Sequence, residues 1–397
     1  METFHSASAL IAARKPEKPI IGLRPHAAGR AARWFLANFP GDIAYAYKAN
    51  STPFLIGALY GAGIRHFDVA SLPELEDAKT IPDVTFHFMH PVKSRHAIRR
   101  AFALGCRSFS LDSEDELKKI VEETGGAHDL SLWVRIAVPA INAVIPLQNK
   151  FGITGAAAVR LLTKTRQVAR SLGISFHVGS QTLAPEAYAS ALSEARKLIT
   201  RAGVVIDGID VGGGFPARYS DDSQAPLSDF IQVIRESFAT LPVASNCRLM
   251  CEPGRALSAE SESLIVRVDA RRGGDLYIND GSYGMLFDAA HLGFTFPVRL
   301  VGREVRDPKA LAPFQFWGPT CDSIDHMKGP FMLPASIREG DYIEIGNTGA
   351  YARAIAGKFN GYGFYDEVIL KDPPIYTMYG DEAVSRPVAL AEAGATV

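Results

Sequence analysis

The sequence predicts an α/β fold: a (β/α)8 TIM-like barrel, followed by a second domain that is an antiparallel β-barrel or sandwich. Three observations predict it. Eight short runs of β-branched and aromatic residues recur within roughly 200 residues, most of them separated by helical patterns. Polar residues, among them Lys48, Asp68, Arg135, His177 and Glu252, follow or close those runs. After about residue 255 the rhythm changes to strands parted by Gly, Asp, Pro and Arg turns. A doubly wound open sheet also alternates strand and helix. The count of eight and the polar strand ends, which a barrel gathers on one rim, favour the barrel.

In chain order, the barrel strands are expected at 44–47, 66–69, 85–88, 108–111, 132–136, 174–178, 204–206 and 248–250. Among the helices, Ser113 and Glu116 form a capping box ahead of Leu117, Ile120 and Val121. The stretch 186–199 is a longer helix with Gly203 as its C-cap. Strands of the second domain are expected at 264–268, 275–278, 294–300, 341–345 and 350–351. The alanine-rich start of the chain suits a short surface helix, and the Ala- and Glu-rich tail either continues the fold or frays.

A chain of 397 residues exceeds the usual size of one domain, so two or three are expected. With 47% hydrophobic and 21% charged residues it is globular rather than disordered. Lys+Arg total 42 against 43 Asp+Glu, so no global field gathers nucleic acid. No apolar stretch approaches the ~18 residues of a membrane span, and Glu2 and His5 stand where a signal peptide has a basic start. Four cysteines in a chain able to bury a large core point to a cytoplasmic setting rather than a disulfide scaffold. Cys247 and Cys251 lack a second pair, and His87 and His90 lack a clean ligand set, so no metal site is expected.

Several residues combine into chemistry. Lys48 closes Tyr-Ala-Tyr-Lys, where an ammonium is either ion-paired or poised to form a Schiff base. The run Gly212-Gly213-Gly214 is either a tight turn or an anion cradle of backbone N–H groups. It lacks the spacing of a P-loop or a dinucleotide fingerprint. If the barrel holds, Ser180, Gly254 and Arg255 become further phosphate contacts. Glu252 beside Arg255 is either an ordinary ion pair or a carboxylate that keeps a pyridine nitrogen protonated. His177 either lies flat on an aromatic cofactor or is a core histidine.

Taken together these motifs resemble the fold-type III pyridoxal-phosphate decarboxylases, the ornithine/diaminopimelate/arginine decarboxylase family. YAYKAN (45–50), SFHVGS (175–180), DVGGGFP (210–216), EPGR (252–255), NDGSYG (279–284), GPTCDSID (318–325) and GAY (349–351) follow in the family's order. The resemblance implies pyridoxal 5'-phosphate as cofactor, held through Lys48, with Glu252 on the pyridine nitrogen and His177 stacked on the ring. It implies Ser180, Gly213, Gly214, Gly254, Arg255 and Tyr351 around the phosphate, and Asp68 and Arg135 as the supporting polar shell. It places residues 1–25 with the β domain, leaving 26–255 as the cofactor-binding barrel and 256–397 as the β domain. It further implies a homodimer with shared active sites. Cys321 of the second subunit would return a proton to the α-carbon, and Asp322 would bind the distal amine, with Tyr283 and Asp288 as further substrate contacts.

Asp322 after the cysteine resembles the ornithine/lysine branch, where diaminopimelate enzymes typically have Glu. The expected reaction is decarboxylation of a basic L-amino acid: L-ornithine to putrescine first, L-lysine to cadaverine close behind, in polyamine biosynthesis. The alternatives are a meso-diaminopimelate decarboxylase or, in a different class, a non-catalytic regulatory homologue that binds a partner. One departure is Ala352, which stands where the family usually has Thr after the GAY tyrosine.

Overall fold

The computed structural model describes residues 1–147, 149–219, 225–304 and 310–380; the C-terminal tail read above lies outside them. The chain divides into two compact units. One comprises Asn38–Ser51 and Arg65–Leu257; the other comprises Met1–Ala37, Thr52–Ile64 and the chain from Ser258 onward.

The first unit holds a closed barrel of eight parallel strands: Asp42–Ala46, His66–Val69, Thr85–Phe88, Ser108–Leu111, Ser131–Arg135, Ser171–Ser175, Gly208–Asp210 and Arg248–Cys251. They pair in chain order, and Arg248–Cys251 closes the ring on Asp42–Ala46. Two of these strands differ from the sequence reading. The sixth is 171–175 rather than 174–178, and the seventh is 208–210 rather than 204–206. Both contain a glycine, which weakens a strand signal. The glycines are there for Trp133: a Cβ on Gly173 or Gly208 would fall 2.1 or 2.7 Å from its ring. Val205, read as strand, is instead 60% exposed.

Trp133 also begins a hydrogen-bonded chain through the barrel interior. Its Nε1–H donates to Ser108 Oγ at 2.9 Å, Ser108 meets His87 Nδ1 at 2.8 Å, and His87 Nε2 meets His66 Nδ1 at 3.0 Å. His66 Nε2 in turn faces Asp42 at 3.7 Å. Burial, with His66 and Arg248 adding to it, pushes His87 down to about 3, so this imidazole is neutral.

The helices follow local signals. Ser113 caps Glu114–Glu123 by accepting from Glu116 N at 3.2 Å. The reciprocal half of the box is absent, because the Glu116 carboxylate takes Lys93 and Lys119 instead. Glu186–Ala202 ends on Gly203, whose φ of 62° lets its N–H reach Ile199 O.

The second unit carries a nine-stranded sheet of mixed rather than purely antiparallel pairing. Its parallel pairs are Thr3–Phe4 with Asp366–Leu370, Asp366–Leu370 with Ile20–Leu23, and Asp275–Ile278 with Leu311–Trp317. In each pair the partners are far apart in sequence, so no hairpin forces them antiparallel. Ile20–Leu23 also pairs antiparallel with Glu262–Arg272. The N-terminal helix Ala7–Ala13 is more than a surface helix, since Ala7, Leu10 and Ile11 pack with Ile20, Ile265, Val368 and Leu370. Leu311–Trp317 and His326–Pro334 carry Pro313 and Pro330, which hid them as strands. Residues 350–351 form no strand: Tyr351 takes φ 65° and caps Ala352–Ile355.

Candidate active site

The C-terminal ends of the barrel strands gather most of the predicted side chains. Lys48 stands on the short turn Tyr47–Ala49 that follows the first barrel strand. Its Nζ lies 2.6 Å from Oδ2 of Asp68, which is 2% exposed, whereas the lysine side chain keeps 39% exposure. A buried carboxylate thus holds an accessible ammonium.

Glu252 follows the last strand and is buried. Burial, then the nearby Asp210 and Asp68, drive its pKa well above the carboxylate range. Asp210 is the last residue of the strand Gly208–Asp210, and burial pushes its carboxyl up to about 7. Burial and each other's charge disfavour ionising both carboxyls, so the pair favours carrying a proton. Oε1 of Glu252 has no hydrogen-bond partner among the described residues. A buried oxygen left this way is a costly feature that an incoming N–H would remove.

Between them runs the glycine loop, whose three carbonyls are all turned into the protein. Gly212 O accepts from Glu252 N at 2.8 Å, Gly213 O from Tyr188 Oη at 3.0 Å, and Gly214 O from Thr182 N at 2.9 Å. Gly212 N donates to Asp210 Oδ1 at 2.9 Å. The N–H groups of Gly213 and Gly214 meet no acceptor among the described residues. Side chains are excluded, because a Cβ would sit 2.7 Å from Glu252 O at Gly213 and 2.5 Å from Gly179 O at Gly214. Such a run of free amides suits an anion.

His177 lies beside the loop. Its Nδ1 accepts from Gly179 N at 3.0 Å, and a Cβ on Gly213 would come within 3.1 Å of its Nε2. Burial, followed by Arg135 and Lys48, pushes it down to about 3, so the ring is neutral and suited to stacking. Arg135 closes the strand Ser131–Arg135, with its guanidinium 5.4 Å from the Phe151 ring. Ser180 opens a two-stranded ribbon and pairs with Ile145. Gly254 precedes the buried Arg255, whose Nη1 donates to Tyr219 Oη at 2.9 Å. Sequence reasoning missed Tyr219, Tyr188 and Gln181. It quoted Asp210 without a role, although a carboxylate ending a barrel strand was a readable signal.

The remaining predicted residues lie in the second unit. Tyr283 Oη donates to Asp322 Oδ2 at 2.6 Å, and Ile324 N donates to Asp322 Oδ1 at 3.1 Å. These donors hold the Asp322 carboxyl below its usual range. Exposed Cys321 bonds through Sγ and N to Asn360 Oδ1, at 3.3 and 3.2 Å. The loops carrying them are pinned by Asp325, which accepts from Ser282 N, Thr320 N and Thr320 Oγ1. Gly281 and Gly318 exist for that carboxylate, since a Cβ on either would lie 2.1 Å from its Oδ1. Asp288 is only 4% exposed, on the short helix Phe287–His291, unlike the accessible Asp322. Tyr351 sits at its left-handed cap.

All four cysteines are free, and no group of His, Cys, Asp or Glu among the described residues is arranged to hold a metal. No described helix is long and apolar enough to cross a membrane.

Comparison with known proteins agrees with this chemistry. Residues 27–259 match the family model for the pyridoxal-binding domain of pyridoxal-dependent decarboxylases. The lysine/ornithine decarboxylase of Selenomonas ruminantium is 31% identical over 358 residues, covering 87% of this chain and 88% of that protein. Among solved structures, the arginine decarboxylase of Paramecium bursaria Chlorella virus, bound to agmatine, superposes with a TM-score of 0.80. It is 26% identical and covers 91% of this chain and 98% of that one. The lysine/ornithine decarboxylase of Vibrio vulnificus, complexed with putrescine, gives a TM-score of 0.78 at 27% identity, over 92% of this chain and 99% of that one.

Proposed function

The chain belongs to the pyridoxal-dependent decarboxylases of basic amino acids, with pyridoxal phosphate as cofactor, and from that premise we propose that it converts L-ornithine to putrescine and CO2. L-Lysine to cadaverine is a second reaction of the same pocket. The observation that carries the substrate assignment is Asp322, a carboxylate directly after Cys321 that Tyr283 and Ile324 N hold ionised. Such a group matches an ammonium at the far end of the substrate. It does not select sharply for length, since one methylene is worth only about 1–3 kcal/mol in an apolar pocket.

Pyridoxal phosphate, once bound, supplies an electron sink for the pair left at the α-carbon when CO2 departs. The other roles belong to this chain. Lys48 holds the cofactor's carbonyl carbon and is oriented by Asp68. Glu252, whose Oε1 is unpartnered, would accept the pyridine N–H, and neutral His177 would stack on the ring. Ser180, Gly213, Gly214, Gly254 and Arg255, with Tyr351, hold the phosphate. Asp68 and Arg135 form the supporting polar shell. Cys321 delivers a proton to the α-carbon after CO2 has left. Tyr283 positions Asp322 at the distal ammonium, and Asp288 is the second carboxylate for that ammonium in this reading.

The working form is a homodimer in which Cys321 and Asp322 serve the partner's Lys48. Supporting this, Cys321 is exposed and its unit presents Ile324 at 55%, Phe359 at 43% and Phe364 at 51% exposure, an apolar surface suited to burial against a second copy. Free thiols throughout suit the cytoplasm.

The test is product identification by mass spectrometry with the cofactor and ornithine, lysine, arginine and meso-diaminopimelate in competition. Putrescine as the dominant product supports the assignment. Lysine formed from meso-diaminopimelate would replace it with the diaminopimelate reading, and no amine or CO2 from any of the four would favour a regulatory homologue.

A further inference from the structure

Gln181 is a buried residue, 3% exposed, in a conformation that side chains rarely adopt, with φ 53°. A non-glycine residue held there stores strain of order 1 kcal/mol that its surroundings must offset. What offsets it is visible. The Gln181 carboxamide bonds both ways to the backbone of Ala217: Nε2–H donates to Ala217 O at 2.6 Å, and Oε1 accepts from Ala217 N at 2.9 Å. The turn at Gln181 also delivers the next residue, since Thr182 N donates to Gly214 O at 2.9 Å. Its preceding neighbour, Ser180, faces Ile145 in the short ribbon. One strained residue therefore ties the segment 179–182 to the segment 214–217 through three hydrogen bonds.

The tied segment is the one that presents the free amides of Gly213 and Gly214. It is anchored on its near side by Glu252 N and Tyr188 Oη, which hold the carbonyls of Gly212 and Gly213. Beyond Ala217 it is anchored by Tyr219, whose hydroxyl accepts from Arg255. The Gln181 carboxamide supplies the fixed point between. Phe215, buried and stacked 5.1 Å from Tyr188, and the bond from Thr182 N to Gly214 O hold the start of this segment; without the carboxamide the Ala217 peptide groups lose their two fixed partners.

We propose that Gln181 is a positioning residue for phosphate: through Ala217 it holds the glycine loop so that Gly213 and Gly214 N–H converge on the cofactor's phosphate group. The inference rests on the reading of that loop as the phosphate cradle. Gln181 does not touch the phosphate itself.

Gln181→Gly separates the role from general stability. Glycine accepts φ 53° without strain, which offsets part of the cost of losing both buried bonds to Ala217, so the variant should still fold but melt below the wild type. The apoprotein is titrated with pyridoxal phosphate and with pyridoxal, which lacks the phosphate, and inorganic phosphate is tested as a competitor. The expected result is roughly a tenfold weaker Kd for pyridoxal phosphate, the loss of about two ordinary hydrogen bonds' worth of preorganisation. Pyridoxal affinity should stay unchanged and inorganic phosphate should compete less well. Gln181→Glu keeps size and backbone but sets a carboxylate oxygen against Ala217 O, and should lower the same affinity ratio if the glycine variant does not fold. An unchanged ratio of the two affinities in the folded variants overturns the role. A wild-type protein that binds pyridoxal as tightly as pyridoxal phosphate, with no competition from inorganic phosphate, overturns the cradle reading and this proposal with it.

Discussion

Asp210 and Glu252, one ending the seventh barrel strand and the other following the eighth, are neighbouring buried carboxyls inside the barrel, each raising the cost of the other's charge. Lys48, whose charge favours ionised Glu252, is itself paired with a third acid, Asp68. The protein therefore keeps a proton on the Asp210–Glu252 pair where a second full charge would be costly. It also leaves Glu252 Oε1 without a partner. In the proposed function, a protonated ring nitrogen beside Glu252 would relieve that crowding.

That arrangement makes stability depend on pH in the apoprotein. Asp210 is pushed up to about 7, above its unfolded value near 3.9. The native state then holds the proton more tightly. The contribution is fully present below about pH 3.9 and is lost as pH rises through about 7. Asp210→Asn keeps the acceptor for Gly212 N and removes the titration. Its apo form should melt above the wild type at pH 8, by no more than about 4 kcal/mol in stability, and converge with it towards pH 4. A difference that stays constant across this range would rule the retained proton out.

His87 works in the opposite direction. Its folded value of about 3 lies below the unfolded 6.5, so the unfolded state takes up the proton first as acid is added. Stability should fall between about pH 6.5 and 3, and His66, also lowered by burial, adds to the same slope. His87→Gln should be less stable than wild type at pH 7 by about 1–3 kcal/mol, because Ser108 and His66 lose their well-placed partner. It should nevertheless show a shallower acid transition in urea melts between pH 4 and 7. Parallel curves for the two proteins would count against the neutral-imidazole assignment.

The barrel was legible because its rhythm is local: six of the eight strands stand within two residues of where composition puts them. The two misplaced strands owe their register to Trp133, whose ring needs glycine at 173 and 208. That demand comes from across the barrel and leaves no trace in a neighbouring window. The mixed sheet was obscured likewise, since Ile20–Leu23 and Asp366–Leu370 pair from opposite ends of the chain. In the candidate site, Lys48, Asp68, Glu252 and His177 were readable as polar groups at strand ends. Gln181 was not, because its importance lies in a backbone angle and a contact 36 residues away.

Tyr283 offers a test of substrate recognition. Its hydroxyl is the main cause of the lowered Asp322 pKa, with Ile324 N second. Tyr283→Phe removes that donor while keeping the ring that lies 4.6 Å from Phe359. The KM for ornithine should rise about three- to tenfold, the range of one ordinary hydrogen bond in an exposed setting, with kcat little changed. Because the carboxyl returns towards its ordinary value, KM should also begin to climb at a higher pH on the acid side. A variant that loses kcat at constant KM would move Tyr283 from substrate positioning to the chemistry.

The shared-site dimer makes the sharpest prediction. Lys48→Ala removes the amine that holds the cofactor, so the variant should lack the visible absorbance of a pyridoxal Schiff base and be inactive alone. Cys321→Ala removes the proposed proton donor and should also be inactive or nearly so. Co-expressed in equal amounts, half of the dimers are mixed. Each mixed dimer pairs an intact Lys48 with an intact Cys321 from the other chain at one of its two sites, and about a quarter of wild-type activity should return. If Cys321 serves the Lys48 of its own chain, every site in the mixture lacks one residue or the other. Activity then stays at the level of the separate variants, and the partner-donated Cys321 and Asp322 fall together.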